Sequence, residues 1–139
     1  LSGLIIAAKS MGLDWKFTGV TVNYDVPLDG YIFQHNKDIQ ELLDLPVTFE
    51  KSDMRILDQY IGEGYGVMSA QVAEAIHIAA QTDAIICDPN YTGTAMAALI
   101  DQVEDGGFDD DETIIFLHTG GLPAVFTFAD QLANFKGKV

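Results

Sequence analysis

The feature that most limits how this chain can fold is a repeated change of rhythm. Short β-rich or apolar runs alternate with longer stretches of helical periodicity, and the changeovers fall on glycine, proline and small polar residues. Parallel strands need long crossovers, normally helical, and an alternation of this kind is how a sequence meets that need. A first helix is expected over residues 1–11, apolar at Leu4, Ile5 and Ile6 and ending at Met11-Gly12. Residues 16–23 read as a buried strand and residues 24–30 as a turn containing Asp25, Pro27 and Gly30. Residues 31–45 read as an amphipathic helix with Ile32, Phe33, Ile39, Leu42 and Leu43 on one broad apolar side, stopped by Pro46. A short strand over 47–50 and an ambiguous stretch over 53–60 lead to the glycine-rich run Gly62-Glu63-Gly64-Tyr65-Gly66. Ser69 offers an N-cap for a helix reaching residue 81. A strand over 84–87, a helix over 94–103, a strand over 113–117 and a helix over 122–134 complete the order. The expectation is an α/β fold: an open, mostly parallel sheet with helices on both faces, in a single domain over residues 1–139.

Composition removes several classes of function. With 48% hydrophobic residues in 139, the chain is long and apolar enough for one folded core. Seven Lys and Arg stand against 21 Asp and Glu, so a net charge of −14 makes nucleic acid and anionic membranes poor partners. No apolar run is long enough to span a bilayer. The single cysteine, Cys87, excludes an internal disulfide and is compatible with the cytoplasm. His35, His77 and His118 share no ligand spacing. Asp109-Asp110-Asp111-Glu112 lacks the alternation and glycine of a calcium loop, so no metal site is expected.

Ligands of open α/β sheets bind beyond the carboxyl ends of the strands. Two corners fall there: Asp88-Pro89-Asn90-Tyr91-Thr92-Gly93 and His118-Thr119-Gly120-Gly121. Each offers a hydroxyl, backbone N–H groups and glycines that permit close approach. Each also opens a helix, whose N-terminus favours an anion or an electron-rich atom. The loop around Tyr65 has similar character. Plain structural roles compete at every position. Thr92 and Thr119 are equally readable as N-caps, Tyr65 and Tyr91 as loop tyrosines packed on the core, and His118 as a structural histidine. Cys87 suits a small core position, and Ser69 lacks the glycine framing of a nucleophile elbow. The residues alone support a ligand-binding α/β domain with a crevice lined by tyrosine and threonine.

Three segments together carry a resemblance. GEGYG at 62–66, DPNYTGTAMAALID at 88–101 and IIFLHTGGLPAVFTF at 114–128 resemble the C-terminal half of the D-cysteine desulfhydrase and 1-aminocyclopropane-1-carboxylate deaminase family. These are pyridoxal 5'-phosphate enzymes of the tryptophan synthase β-like fold, also called fold type II. The resemblance implies two active-site tyrosines: Tyr65, facing the substrate side of the cofactor, and Tyr91, placed for substrate binding or proton transfer. Thr92 stands where the deaminases carry glutamate and the desulfhydrases threonine; Thr119 stands where they carry leucine and threonine respectively. That region faces the pyridine nitrogen, so Thr119 and Thr92 are implied cofactor contacts, with Gly120 giving the cofactor room. A hydroxyl beside a pyridine nitrogen leaves it largely unprotonated, whereas a carboxylate stabilises the pyridinium.

Both threonines therefore lean towards desulfhydrase-type α,β-elimination, giving a keto acid, ammonia and, from D-cysteine, sulfide. Ring-opening deamination is the alternative within the family, and a non-catalytic ligand-binding module is the alternative outside it. Leu1-Ser2-Gly3-Leu4 is similar to the residues that follow the family's phosphate loop. In the family that loop, the cofactor-linking lysine and a Ser-Asn-His segment lie upstream. None of Lys9, Lys16, Lys37, Lys51, Lys136 and Lys138 stands in a matching context. The resemblance thus implies the C-terminal portion of a larger two-domain enzyme, homodimeric and cytoplasmic, acting on a small amino acid. The chain alone is expected to be inactive and to hold pyridoxal phosphate poorly.

Overall fold

The computed structural model describes residues 1–23 and 27–137. They fall into two compact units, Leu1–Asp58 and Gln59–Val139. Of the turn expected over 24–30, residues 24–26 lie outside the described residues.

The first unit is built on two parallel strands, β1 (Phe17–Val20) and β2 (Met54–Leu57), with Phe17 opposite Met54 and Val20 opposite Leu57. The Thr21 N–H extends the ladder to the Leu57 carbonyl at 2.9 Å. Helix α1 (Ser2–Ser10) buries Ile5, Ile6 and Ala8, which lie on one side of the helix. Gly19 keeps β1 close to its neighbours: a Cβ there would stand 2.9 Å from Leu1 Cδ2 and 3.1 Å from Ile56 Cδ1. Helix α2 (Leu28–Leu42) supplies the crossover that a parallel pair requires. A single 3-10 turn, Lys51–Asp53, introduces β2 and is closed by a capping box in which the Glu50 N–H donates to Asp53 Oδ2 at 2.6 Å. Lys9 ties α1 to this turn, with Nζ 2.6 Å from Asp53 Oδ2 and donating to the Thr48 carbonyl at 2.8 Å.

Two expectations for this unit change. Residues 47–50 form no strand, because their carbonyls serve side chains: Val47 accepts from the Gln40 amide and Thr48 from Lys9. The second strand lies instead in the stretch that sequence left ambiguous. Helix α2 begins at Leu28, before residue 31, and its apolar side is only partly covered. Leu42 is 82% exposed and Leu43 59%, while the buried side chain of the helix is Asn36, at 0% exposure.

The second unit packs α3 (Ala70–Asp83) against α4 (Thr92–Glu104). Ser69 caps α3 as expected, its Oγ accepting from the Val72 N–H at 3.2 Å. Val72, Ala73, Ala75, Ile76 and Ala79 of α3 meet Met96 and Ala97 of α4 around Cys87 and Leu132. Small residues set the spacing between the helices. A Cβ on Gly93 would stand 3.0 Å from Ile76 Cγ1 and 2.5 Å from the Asp88 carbonyl oxygen, inside any tolerated contact.

The strands expected over 84–87 and 113–117 do not form among the described residues. A ladder needs a neighbour for each carbonyl, and that of Ile86 accepts from His118 Nε2 at 3.0 Å instead. Ile85, Ile115 and Leu117 are exposed. The last expected helix divides into a 3-10 stretch, Leu122–Phe128, and a short α5 (Ala129–Ala133). No helix among the described residues is long and apolar enough to cross a membrane.

Asn36 marks a local weakness. Neither Oδ1 nor Nδ2 has a hydrogen-bond partner, and a buried amide left unpaired costs about 1–3 kcal/mol. Leucine branches at the same γ carbon without polar atoms. Asn36→Leu is therefore expected to raise the urea unfolding midpoint, by about 1–2 kcal/mol of stability. A fall in the midpoint would show that the amide is satisfied in solution.

Candidate active site

Asp88 closes the segment that runs out of α3, and its side chain is fully buried. Its Oδ2 accepts from the N–H groups of Asn90 and Tyr91, both at 2.9 Å. Its Oδ1 accepts from the Thr92 N–H and the Thr92 hydroxyl, both at 2.8 Å. The Asp88 N–H in turn donates to Thr92 Oγ1 at 2.8 Å, and the Asp88 carbonyl accepts from the Gly93 N–H at 2.8 Å. Proline at position 89 favours a turn here, and the aspartate gathers the N–H groups that the first turn of α4 leaves without helical partners. Burial alone pushes the Asp88 carboxyl up. The hydrogen bonds from the Thr92 N–H, the Tyr91 N–H, the Thr92 hydroxyl and the Asn90 N–H outweigh it and hold the group below its ordinary 3.8. The helix end expected to await an anion is thus already filled by the chain's own carboxylate.

The second corner lies against the first. A Cβ on Gly121 would fall 2.5 Å from Asp88 Cγ and Oδ1, so only glycine lets this backbone pass. Its φ of 92° independently favours glycine. His118 joins the corners from the other side. The Gly120 N–H donates to Nδ1 at 3.2 Å, so the ring proton sits on Nε2 and is given to the Ile86 carbonyl. Both ring nitrogens are committed, which makes His118 structural. This corner opens a 3-10 stretch with no side-chain cap, so Thr119 is not an N-cap and the helix terminus expected behind it is missing. Thr119 is exposed, and the space around Gly120 is open where a Cβ would stand.

Tyr65 and Tyr91 meet in front of the first corner. Their hydroxyls share a hydrogen bond, and the rings pack edge-on with centroids 5.9 Å apart. Each stays about half exposed, at 57% and 49%, so they are not tyrosines folded onto the core. The hydrogen bond to Tyr65, with weaker contributions from burial and from the charge of Asp88, raises the Tyr91 phenol. Gly62, Gly64 and Gly66 all take positive φ, which lets the loop carrying Tyr65 turn back on itself.

The structure therefore joins Tyr65 to Tyr91, links Tyr91 through Asp88 to Gly121 of the second corner, and gives the two threonines different exposure. Thr92, implied by resemblance as a second contact to the ring nitrogen, is 2% exposed. Its one hydroxyl hydrogen is given to Asp88, so it stands behind the corner and not in it. Cys87 is buried, and burial first, then the neighbouring Asp88 charge, raises its thiol against an opposing hydrogen bond from Thr92, leaving a core residue. Sequence reasoning missed Asp88. The signal was there: an aspartate followed by proline, with N–H groups two to four residues on, is an Asx-type turn ahead of a helix.

Residues 1–120 match the family described as pyridoxal-phosphate dependent enzyme, and the chain belongs to that family. D-cysteine desulfhydrases of Salmonella paratyphi C (strain RKS4594) and Salmonella enteritidis PT4 (strain P125109) are each 35% identical to it over 128 residues. A solved structure described as an ACC deaminase homologue matches with a TM-score of 0.82 and 27% identity, over 97% of this chain and 40% of that one. The fold is thus that of the type II pyridoxal-phosphate enzymes, of which the small parallel sheet and flanking helices are a part. The chain spans 38% of the length of the desulfhydrases it matches.

The donor set fits one wall of a pyridine-ring cofactor. Exposed hydroxyls and open glycine backbone line the corner, and its buried carboxylate has no free oxygen.

Because the folded state holds Asp88 below 3.8, its ionised form contributes stability above that pH, and the contribution is lost as pH falls through the lower folded-state value. Asp88→Asn turns an amide N–H₂ towards N–H donors and is expected to cost about 2–3 kcal/mol at neutral pH. The difference between the two proteins should shrink once pH drops below 3.8, measured by urea unfolding at each pH.

Proposed function

We propose that this chain supplies the tyrosine- and threonine-bearing wall of a pyridoxal-phosphate enzyme that carries out α,β-elimination on a small amino acid, D-cysteine being the leading substrate. The observation that carries the reading is the division of acid from hydroxyl at the corner. The one carboxylate there is buried and saturated, while the Thr119 hydroxyl lies open beside Gly120. Pyridoxal phosphate, when bound, supplies an electron sink for bonds breaking at the amino acid's α carbon. Thr119 and Gly120 are the residues that would take its ring edge, and a hydroxyl there leaves the ring nitrogen unprotonated and the sink moderate. A moderate sink suits loss of a good leaving group such as thiol, and serves cleavage of a strained carbon ring less well. The names of the 35%-identical relatives support the same choice.

Tyr91 Oη, held at the rim by Tyr65, is the group placed to hold or move a proton at the substrate. Thr92 contributes through Asp88. Deamination of a cyclopropane amino acid is the second reading, favoured by the 0.82 TM-score to an ACC deaminase homologue. The reading also takes the chain as the C-terminal portion of a larger two-domain enzyme, homodimeric and cytoplasmic, in keeping with its 38% share of the relatives' length and its buried free thiol.

Covalent attachment of the cofactor needs a lysine in the right place. No lysine of this chain stands in the family's context, so residues 1–139 alone should leave no borohydride-fixed cofactor and release no sulfide from D-cysteine. An enzyme containing this chain together with such a lysine should release sulfide from D-cysteine faster than it consumes 1-aminocyclopropane-1-carboxylate. The reverse order of rates would establish the deaminase reading.

A further inference from the structure

We propose that Asp88 is the positioning residue of this site, a buried carboxylate that sets Tyr91 and the Thr119–Gly121 backbone as one unit. The proposal deepens the function above and rests on its choice of site, but the coupling is a property of this chain and is tested on it.

The geometry is specific. One oxygen, Oδ2, holds the N–H of Tyr91 at 2.9 Å and so fixes the backbone from which the rim phenol projects. The other, Oδ1, is held by Thr92 and lies where Gly121 would carry its Cβ, at 2.5 Å. A rotation of the carboxylate that freed Tyr91 would therefore move the atom against which Gly121 is packed. Nothing gives way cheaply in between: Asp88 is fully buried, Thr92 is 2% exposed, and His118 clamps the second corner to the Ile86 carbonyl. Thr92 is the lock on the carboxylate. It gives its hydroxyl hydrogen to Oδ1 while taking the Asp88 N–H, so one hydroxyl fixes both ends of the residue.

The same unit contains a control. Tyr60 is buried and donates to Asp101 on α4, with Gln102 Nε2 donating to the Tyr60 hydroxyl at 3.4 Å. It shares no hydrogen bond with Asp88.

Thr92→Val keeps the volume and removes the lock; Thr92→Ser restores the hydroxyl. With ring-labelled tyrosine and backbone NMR on the 139-residue chain, Thr92→Val should shift the Tyr91 and Tyr65 ring signals together with the Gly120 and Gly121 amides. Tyr60 should stay in place, and Thr92→Ser should return all four towards the parent. The phenol titration of Tyr91 should fall towards that of an unpaired tyrosine as its partner is lost. Shifts confined to Tyr91, with Gly120 and Gly121 unmoved, would overturn the coupling. Equal shifts at Tyr60 would show general loosening and overturn it as well.

In a complete enzyme containing this chain, Thr92→Val should lower kcat by about 100-fold, the scale of a small misplacement at a reacting centre, with KM changing less. Joint shifts on the isolated chain without elimination activity in any enzyme would refute the function and leave the positioning role standing.

Discussion

A carboxylate with no contact to solvent must find every partner inside the fold, and Asp88 finds them within the next turn of chain. The rest of the site depends on that arrangement. The helix behind it starts at Thr92 because the preceding N–H groups are already satisfied. Gly93 must be glycine because a Cβ would stand 2.5 Å from the Asp88 carbonyl oxygen and 3.0 Å from the Ile76 side chain. Gly121 must be glycine because the carboxylate occupies the place of its side chain. Two glycines from different segments are thus explained by one acidic residue, which is a stronger account than backbone freedom at each.

The arrangement also settles the charge of the corner in a very acidic chain. With 21 acidic residues against seven basic ones, an open crevice would ordinarily collect negative potential. Here the nearest acid is enclosed by donors, three backbone N–H groups and one hydroxyl, which spread and offset its charge. The exposed groups of the candidate site, two phenols, a threonine and glycine backbone, are neutral. A neutral, donor-rich surface can meet an uncharged ring nitrogen without forcing a proton onto it. The Asp88 carboxylate keeps its charge, but that charge is enclosed and offset by the donors around it.

Much of the fold was legible because it is local. The apolar spacing of α1 and the Ser69 cap of α3 each depend on residues a few positions apart and form as read, while the β-rich run over 16–23 gives a shorter strand, Phe17–Val20, that is only partly buried. The failures share one cause. Residues 84–87 and 113–117 have strand composition, but a strand is defined by its neighbour, and composition does not name one. The Ile86 carbonyl went to a histidine. Residues 47–50 lost their carbonyls to Gln40 and Lys9 in the same way. In the candidate site, the exposure of the two tyrosines and Thr119 was legible, because glycine-framed corners advertise access. Its organising residue was not, because a buried acid reads as an error until the surrounding N–H groups are counted.

The two threonines show what a resemblance conveys and what it leaves out. Both were placed by motif at one function, and chemically they are the same residue. Packing divides them. Thr119 follows a histidine whose ring is pinned at both nitrogens, so it is carried on a fixed backbone into open space. Thr92 sits one residue after the exposed Tyr91, at the start of α4, where the helix turns its hydroxyl inward onto Asp88. A glutamate at position 92 would bring a second carboxylate against a buried one, and like charges at that separation do not both stay ionised. A glutamate at position 92 therefore requires the hydrogen-bond shell of Asp88 to rearrange.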